Sequence, residues 1–153
     1  MICACTLQAT ATGKQPRLTD DELMTLVQKQ TFRYFWDFAH PESGLARERS
    51  NDRLEIATIG GSGFGVMAII VGVERGFITR EQGAERLLKI VEFLNKADSY
   101  HGIWAHWMDG ATGKTIPFSR KDDGADLVES AFMFEGLLAA HQYFTHDNPT
   151  ENR

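Results

Sequence analysis

Acids accumulate where an apolar helix is about to begin. In Ser119-Arg120-Lys121-Asp122-Asp123-Gly124-Ala125-Asp126-Leu127-Val128-Glu129-Ser130-Ala131, carboxylates stand at positions 122, 123, 126 and 129. If Asp123 caps the helix, Asp126 falls in its first turn and Glu129 in its second, on neighbouring positions of one face. Acids at a cap and in a first turn are explained by structure alone, because free backbone donors and the helix dipole favour them there. Asp122 and Asp123, taken singly, fit that explanation. Glu129 does not, since it lies between Val128 and Ala131, where a dry and unpaired carboxylate is strongly unfavourable. It needs a watered cavity or a cation, and Arg120 and Lys121 are the nearest candidates. Paired carboxylates suit cleavage of a glycosidic bond, one donating a proton to the leaving oxygen while another activates water or attacks the sugar. For Glu129 and Asp126 the two readings are a catalytic group and a structural ion pair.

The segment before these acids carries Tyr100, His101, Trp104, His106, Trp107 and Phe118 among glycines. Tyr100, Trp104 and Trp107 can stack on sugar faces, His101 and His106 can hydrogen-bond hydroxyls, and Arg120 joins them as a polar contact; packing of the same rings against a rim is the alternative. His101 and His106 are five residues apart with no cysteine or third histidine nearby, so no metal site is expected. Gly110 to Thr115 ends like a phosphate loop, but Met108 stands where its first glycine belongs. Gly60-Gly61-Ser62-Gly63-Phe64-Gly65 lacks the third glycine of a dinucleotide site. It marks a helix start at which backbone can come close to a neighbour or a ligand.

Four segments must position these groups, and none of the remaining sequence shows a convincing strand. Thr19-Asp20-Asp21-Glu22 is a capping box with Leu18 and Leu23 as its hydrophobic staple, and Leu23, Val27, Tyr34 and Phe38, widened by Met24, Thr31 and Phe35, recur at helical spacing until Pro41. About Gly63 to Arg75 the chain is apolar around most of a helix, with Gly76 placed to end it. Thr79 and Gln82 form a second capping box ahead of an amphipathic helix with Leu87, Ile90, Val91 and Leu94 on one stripe and Glu85, Arg86, Lys89 and Lys96 off it. About Gly124 to Phe144 is again apolar nearly all round. Amphipathic and enclosed helices therefore alternate, as a toroid of helical hairpins requires. Two long connections, Pro41 to Ser62 and Asp98 to Asp123, are of a length that is uncommon in a compact helical protein and is usually functional, lid-like or disordered.

The 153 residues carry a net charge of −5, and 42% of them are apolar. That is enough for one domain with an ordinary core and excludes disordered and fibrous classes. An acidic chain with scattered Lys and Arg does not suit nucleic acid. No window reaches the roughly 18 apolar residues that span a bilayer. Residues 1–17 stand apart from the domain, 18–153. Ile2-Cys3-Ala4-Cys5 resembles a bacterial lipobox, which would make Cys5 a lipid-anchored residue and the protein exported, periplasmic or attached to the outer membrane. A disordered terminus is the other reading.

Four separated motifs carry a family resemblance: Gln30 to Phe38 followed by Pro41 and Gly44-Leu45-Ala46-Arg47-Glu48-Arg49; Ile59 to Gly65; Gly102-Ile103-Trp104-Ala105-His106-Trp107; and Asp122 to Glu129. In this order the chain resembles the N-terminal part of the glucoamylase-like proteins grouped with glycoside hydrolase family 144, over residues 19 to 147. The resemblance implies an (α/α)6 toroid that acts on β-1,2-linked glucans with inversion, as an endo-β-1,2-glucanase or a related glucosidase, and its acidic positions match Asp122, Asp126 and Glu129; acid/base hydrolysis without metal or organic cofactor is the leading expectation. Members of the group are several times longer. The expectation is therefore an all-α, incomplete (α/α)6 toroid, with four helices as two hairpins and long loops at the active-site face. It lacks the C-terminal hairpins and is inactive alone. Its partner is an oligo- or polysaccharide. A noncatalytic carbohydrate- or partner-binding helical module, and a lyase or cyclase on the same toroid, are the competing readings.

Overall fold

Two capping boxes and one glycine cap set the helix ends. The computed structural model describes residues 17–51 and 53–153; Cys3, Cys5 and nearly all of the leader-like segment lie outside the described residues. Helix α1 spans Asp20–Trp36, with the Thr19 side chain accepting from the Glu22 N–H and Glu22 reaching back to Thr19. Helix α2 spans Ile59–Glu74 and α3 spans Arg80–Leu94, the latter opened by the reciprocal Thr79 and Gln82 pair. Beyond α2, Gly76 takes φ +66, and Gly76 and Phe77 donate to the carbonyls of Val73 and Gly72. Those two bonds close a Schellman motif that only a residue tolerant of positive φ completes without strain. Helix α4 spans Leu127–Tyr143.

The two long connections are not structureless. They meet in a small antiparallel sheet of β1 (Ile56–Thr58), β2 (Trp107–Asp109) and β3 (Thr115–Ile116), in the order β1-β2-β3. Ile56 faces Asp109, Thr58 faces Trp107, and Trp107 faces Ile116. The absence of strands expected from the sequence is thus corrected. Elements of two or three residues are too short for alternation to emerge, and β1 finds its partner β2 some fifty residues away.

Helix α2 lies at the centre, packed most extensively on α4 and then on α1 and α3. The arrangement is an incomplete helical toroid with α2 and α4 as its inner helices. The crossing of α2 and α4 is made by backbone against backbone: a Cβ on Gly63 would lie 2.2 Å from the Phe132 carbonyl oxygen, and one on Gly136 would lie 2.5 Å from that of Gly63. Around this crossing Ile59, Val66, Ile69, Leu87, Ile90, Met108 and Met133 form one buried cluster. From α1, Phe32 and Phe35 rest on Gly72 and Gly65 of α2. The stripe expected on α1 is corrected accordingly, since Leu23 and Val27 are exposed and the buried residue is Phe32. On α3, Arg86 is not a free surface charge: its guanidinium lies over the Trp36 ring. The inner helices keep one flank open, with Phe64, Met67 and Val71 of α2 and Phe132 and Leu138 of α4 exposed.

The C-terminal segment is tied across α3 and α4 by Arg80. Its guanidinium donates to both Glu151 carboxylate oxygens and to the Tyr143 carbonyl, and lies over the Tyr143 and Phe144 rings. The Arg80 hydrogen bond holds Glu151 at a pKa of about 2, against the opposing effect of burial and with help from the His146 N–H and Asn148.

Gly63→Ala should destabilise by at least about 1–3 kcal/mol, the usual cost of overpacking, because backbone cannot swing aside as a side chain can. Gly124→Ala, with nothing within 4 Å of its would-be Cβ, should stay within about 0.5 kcal/mol of the parent. Urea unfolding of both variants measures the contrast. Glu151 contributes stability that is complete above its ordinary pKa of 4.5 and is lost as pH falls toward about 2. In Glu151→Gln the decline in melting temperature over that interval should be shallower than in the parent.

Candidate active site

The rim of the sheet meets the first turns of α2 and α4. β1 runs straight into α2, so Thr58 is both the last strand residue and the helix N-cap. Its N–H donates to the Ala46 carbonyl, and its own carbonyl accepts from the buried Ser62 hydroxyl. On the neighbouring chain segment, the His106 carbonyl accepts from the Ile59 N–H. The start of α4 is stitched to that same segment: Asp126 N–H donates to the Trp104 carbonyl, and Trp104 N–H donates to the buried Ser130 hydroxyl.

Asp126, and not Asp123, is the cap of α4. Its Oδ1 accepts from the N–H groups of Val128 and Glu129 at 2.9 and 3.0 Å. Glu129 consequently stands in the first turn rather than the second. It is also the third helical residue, where a capping box would have it reach back to the cap N–H. That N–H is already spent on Trp104, so the Glu129 side chain turns across to α2. Its Oε2 accepts from the Gly60 N–H at 2.8 Å and from the Thr58 hydroxyl at 3.2 Å. A Cβ on Gly60 would lie 2.6 Å from that oxygen, so only glycine lets the carboxylate come so close. Glu129 thereby serves as the capping acceptor of α2, whose own cap residue makes no side-chain bond to the helix.

The remaining oxygens of the two acids converge on one imidazole. His106 Nδ1 is 3.3 Å from Asp126 Oδ2 and 4.0 Å from Glu129 Oε1. Burial acts to raise the Asp126 pKa, but the Glu129 N–H, the His106 ring and the Val128 N–H together outweigh it and hold the carboxyl below its ordinary value. An ionised Asp126 can only accept, which places a proton on His106 Nδ1. The three side chains are 17–27% exposed, open enough for a ligand to reach. Phe118 and Trp107 pack on each other at 4.7 Å, and His106 contacts both rings. An aromatic wall therefore adjoins the acids.

The expected site divides in two. Glu129, Asp126, His106 and Trp107 come together. Trp104 packs on Phe134 beside the core. Tyr100 and His101 meet edge to face in an exposed turn, with ring centroids 4.4 Å apart. Asp122 closes a tight turn with Ser119 through its backbone and is exposed, as are Arg120 and Lys121. The cationic partners expected for Glu129 are therefore replaced by a hydroxyl, a backbone N–H and the edge of His106. Thr58 was not a sequence candidate; the signal for it was a threonine immediately before an apolar, glycine-rich helix start. Phe118 was visible only as one ring among several. Among the described residues no group of three or more His, Cys, Asp or Glu side chains is arranged to hold a metal ion, and no helix is long and apolar enough to cross a membrane.

No protein-family model matches the chain. It is 53% identical over 137 residues to an exo β-1,2-glucooligosaccharide sophorohydrolase (non-reducing end) of Parabacteroides distasonis, covering 89% of this chain and 19% of that protein. Among solved structures, a candidate glucoamylase from Bacteroides uniformis is 84% identical with a TM-score of 0.89, over 91% of this chain and 34% of the other. The endo-β-1,2-glucanase of Chitinophaga pinensis, in complex with sophorotriose and glucose, is 53% identical with a TM-score of 0.85, over 89% and 34%. The chain thus spans about a fifth of the length of the curated relative and a third of these solved chains.

Asp126→Ala should cost about 1 kcal/mol at neutral pH, the usual worth of an N-cap, with Asp126→Asn costing less. Since the folded pKa of Asp126 lies below its ordinary 3.8, this contribution is present above that pH and fades below it. Chemical unfolding of parent and variant at neutral and strongly acidic pH should show the difference shrinking in acid.

Proposed function

From the premise that the chain is a homologue of the β-1,2-glucanases and glucoamylase-like proteins grouped as glycoside hydrolase family 144, we propose that it carries part of the active site of a β-1,2-glucan hydrolase. The observation that carries this reading is the position of Glu129: a carboxylate with one oxygen anchored and the other open, beside His106 and the Trp107–Phe118 wall. Glu129 supplies acid/base chemistry at the glycosidic oxygen or at the attacking water. Trp107 and Phe118 offer apolar ring faces to a sugar, and His106 offers a polar edge.

Asp126 plays a different part. Being ionised and committed to the helix cap, it does not donate a proton; it orients His106 and sets the first turn from which Glu129 projects. An inverting pair needs a second carboxyl free to donate or accept a proton, at roughly 6.5–9.5 Å from the first, and Asp126 is already bound to backbone donors and to His106. The second acid/base group therefore comes from elsewhere, with Asp122 in the adjoining turn as the candidate on this chain.

The test is release of reducing ends from β-1,2-glucan by the complete gene product that includes these residues. Glu129→Gln should lower kcat by about 10²–10⁴-fold, the usual worth of a general acid or base, while glucan still binds; the 153-residue chain alone should release none. An unchanged rate in Glu129→Gln would count against the assignment, binding without hydrolysis in the parent would favour a noncatalytic module, and an unsaturated product would indicate a lyase.

A further inference from the structure

We propose that Thr58 is a positioning residue for Glu129, fixing which of its two oxygens is presented for chemistry. The proposal rests on the acid/base reading of Glu129 and adds to it a residue that selects its orientation. An N-cap threonine ordinarily turns its oxygen onto the N–H groups of its own helix. Here Thr58 makes no such bond, and its hydroxyl instead donates to Glu129 Oε2, the oxygen that also receives the Gly60 N–H. Two donors from one β1–α2 junction thus occupy Oε2, and Oε1 is left facing His106 at 4.0 Å.

The junction is rigid enough to act as a clamp. The Thr58 backbone is held on both sides, by the Ala46 carbonyl and the Ser62 hydroxyl. Its methyl lies against Gly61, where a Cβ would come within 2.6 Å, and this contact directs the hydroxyl toward Glu129. A glutamate has three side-chain torsions, and Gly60 alone restrains one oxygen without fixing the plane of the carboxylate. The second donor fixes that plane. A group held in its reactive geometry before substrate arrives does not have to be ordered during the reaction.

Thr58→Val keeps the shape and the methyl but removes the hydroxyl, whereas Thr58→Ser keeps the hydroxyl. In the complete gene product acting on β-1,2-glucan, Thr58→Val should lower kcat by about tenfold or more with KM within about twofold of the parent, and Thr58→Ser should recover most of the loss. Hydrogen exchange of the Gly60 amide, measured without substrate, should be faster in Thr58→Val and near the parent rate in Thr58→Ser. An unmoved kcat in Thr58→Val, or an unmoved Gly60 exchange rate, overturns the proposal. Failure of the parent to hydrolyse glucan would sink the reading of Glu129 itself, while the Gly60 amide would still report on the clamp.

Discussion

The inner helices of this protein touch through their backbones, and the site depends on that closeness. At Gly63 and Gly136 there is no room for even a methyl group, so α2 and α4 approach far more closely than helices separated by large side chains. Near the head of the crossing, the same proximity brings Gly60 within reach of a glutamate on the other helix. One carboxylate then meets a backbone donor that α2 would otherwise leave without a partner. Helix packing and site geometry are therefore one constraint: what loosens the crossing also removes the acceptor from Gly60.

The small sheet makes this contact specific. Without it, the residues joining α1 to α2 and α3 to α4 would be long loops with nothing to set their height above the helix ends. Pairing Thr58 with Trp107 puts the cap of α2 beside the aromatic wall, and the bonds from Trp104 to Asp126 and Ser130 hold α4 to the same segment. Buried Ser62 and Ser130 act as rivets between helix and loop, each hydroxyl both donating and accepting. Buried hydroxyls without partners would be costly, and satisfied ones define a single arrangement.

Division of labour between the two acids follows from their positions in one helical turn. Asp126 at the cap is bound to backbone donors and to His106, which favour its ionised form and make it part of the scaffold. Glu129, denied the cap N–H that a capping box would give it, reaches out of its own helix. Had Trp104 not taken the Asp126 N–H, the glutamate could have closed a capping box as Glu22 does in α1, and the site would have lost its projecting carboxylate.

Local chemistry alone marked much of the molecule. Both capping boxes, the glycine that ends α2 and the alternation of outer and inner helices were legible in the sequence, because each depends on residues a few positions apart, and so was the need of Glu129 for polar partners. The glycine-rich start of α2 was recognisable as a place of close approach, though not what approached it. Tertiary structure decided the rest. It paired β1 with a strand some fifty residues away, moved the cap of α4 from Asp123 to Asp126, and gave Glu129 partners about seventy residues away in place of adjacent cations. Sequence order determines which donors and acceptors exist nearby, but which of them meet is settled by the packing that brings remote backbone into range.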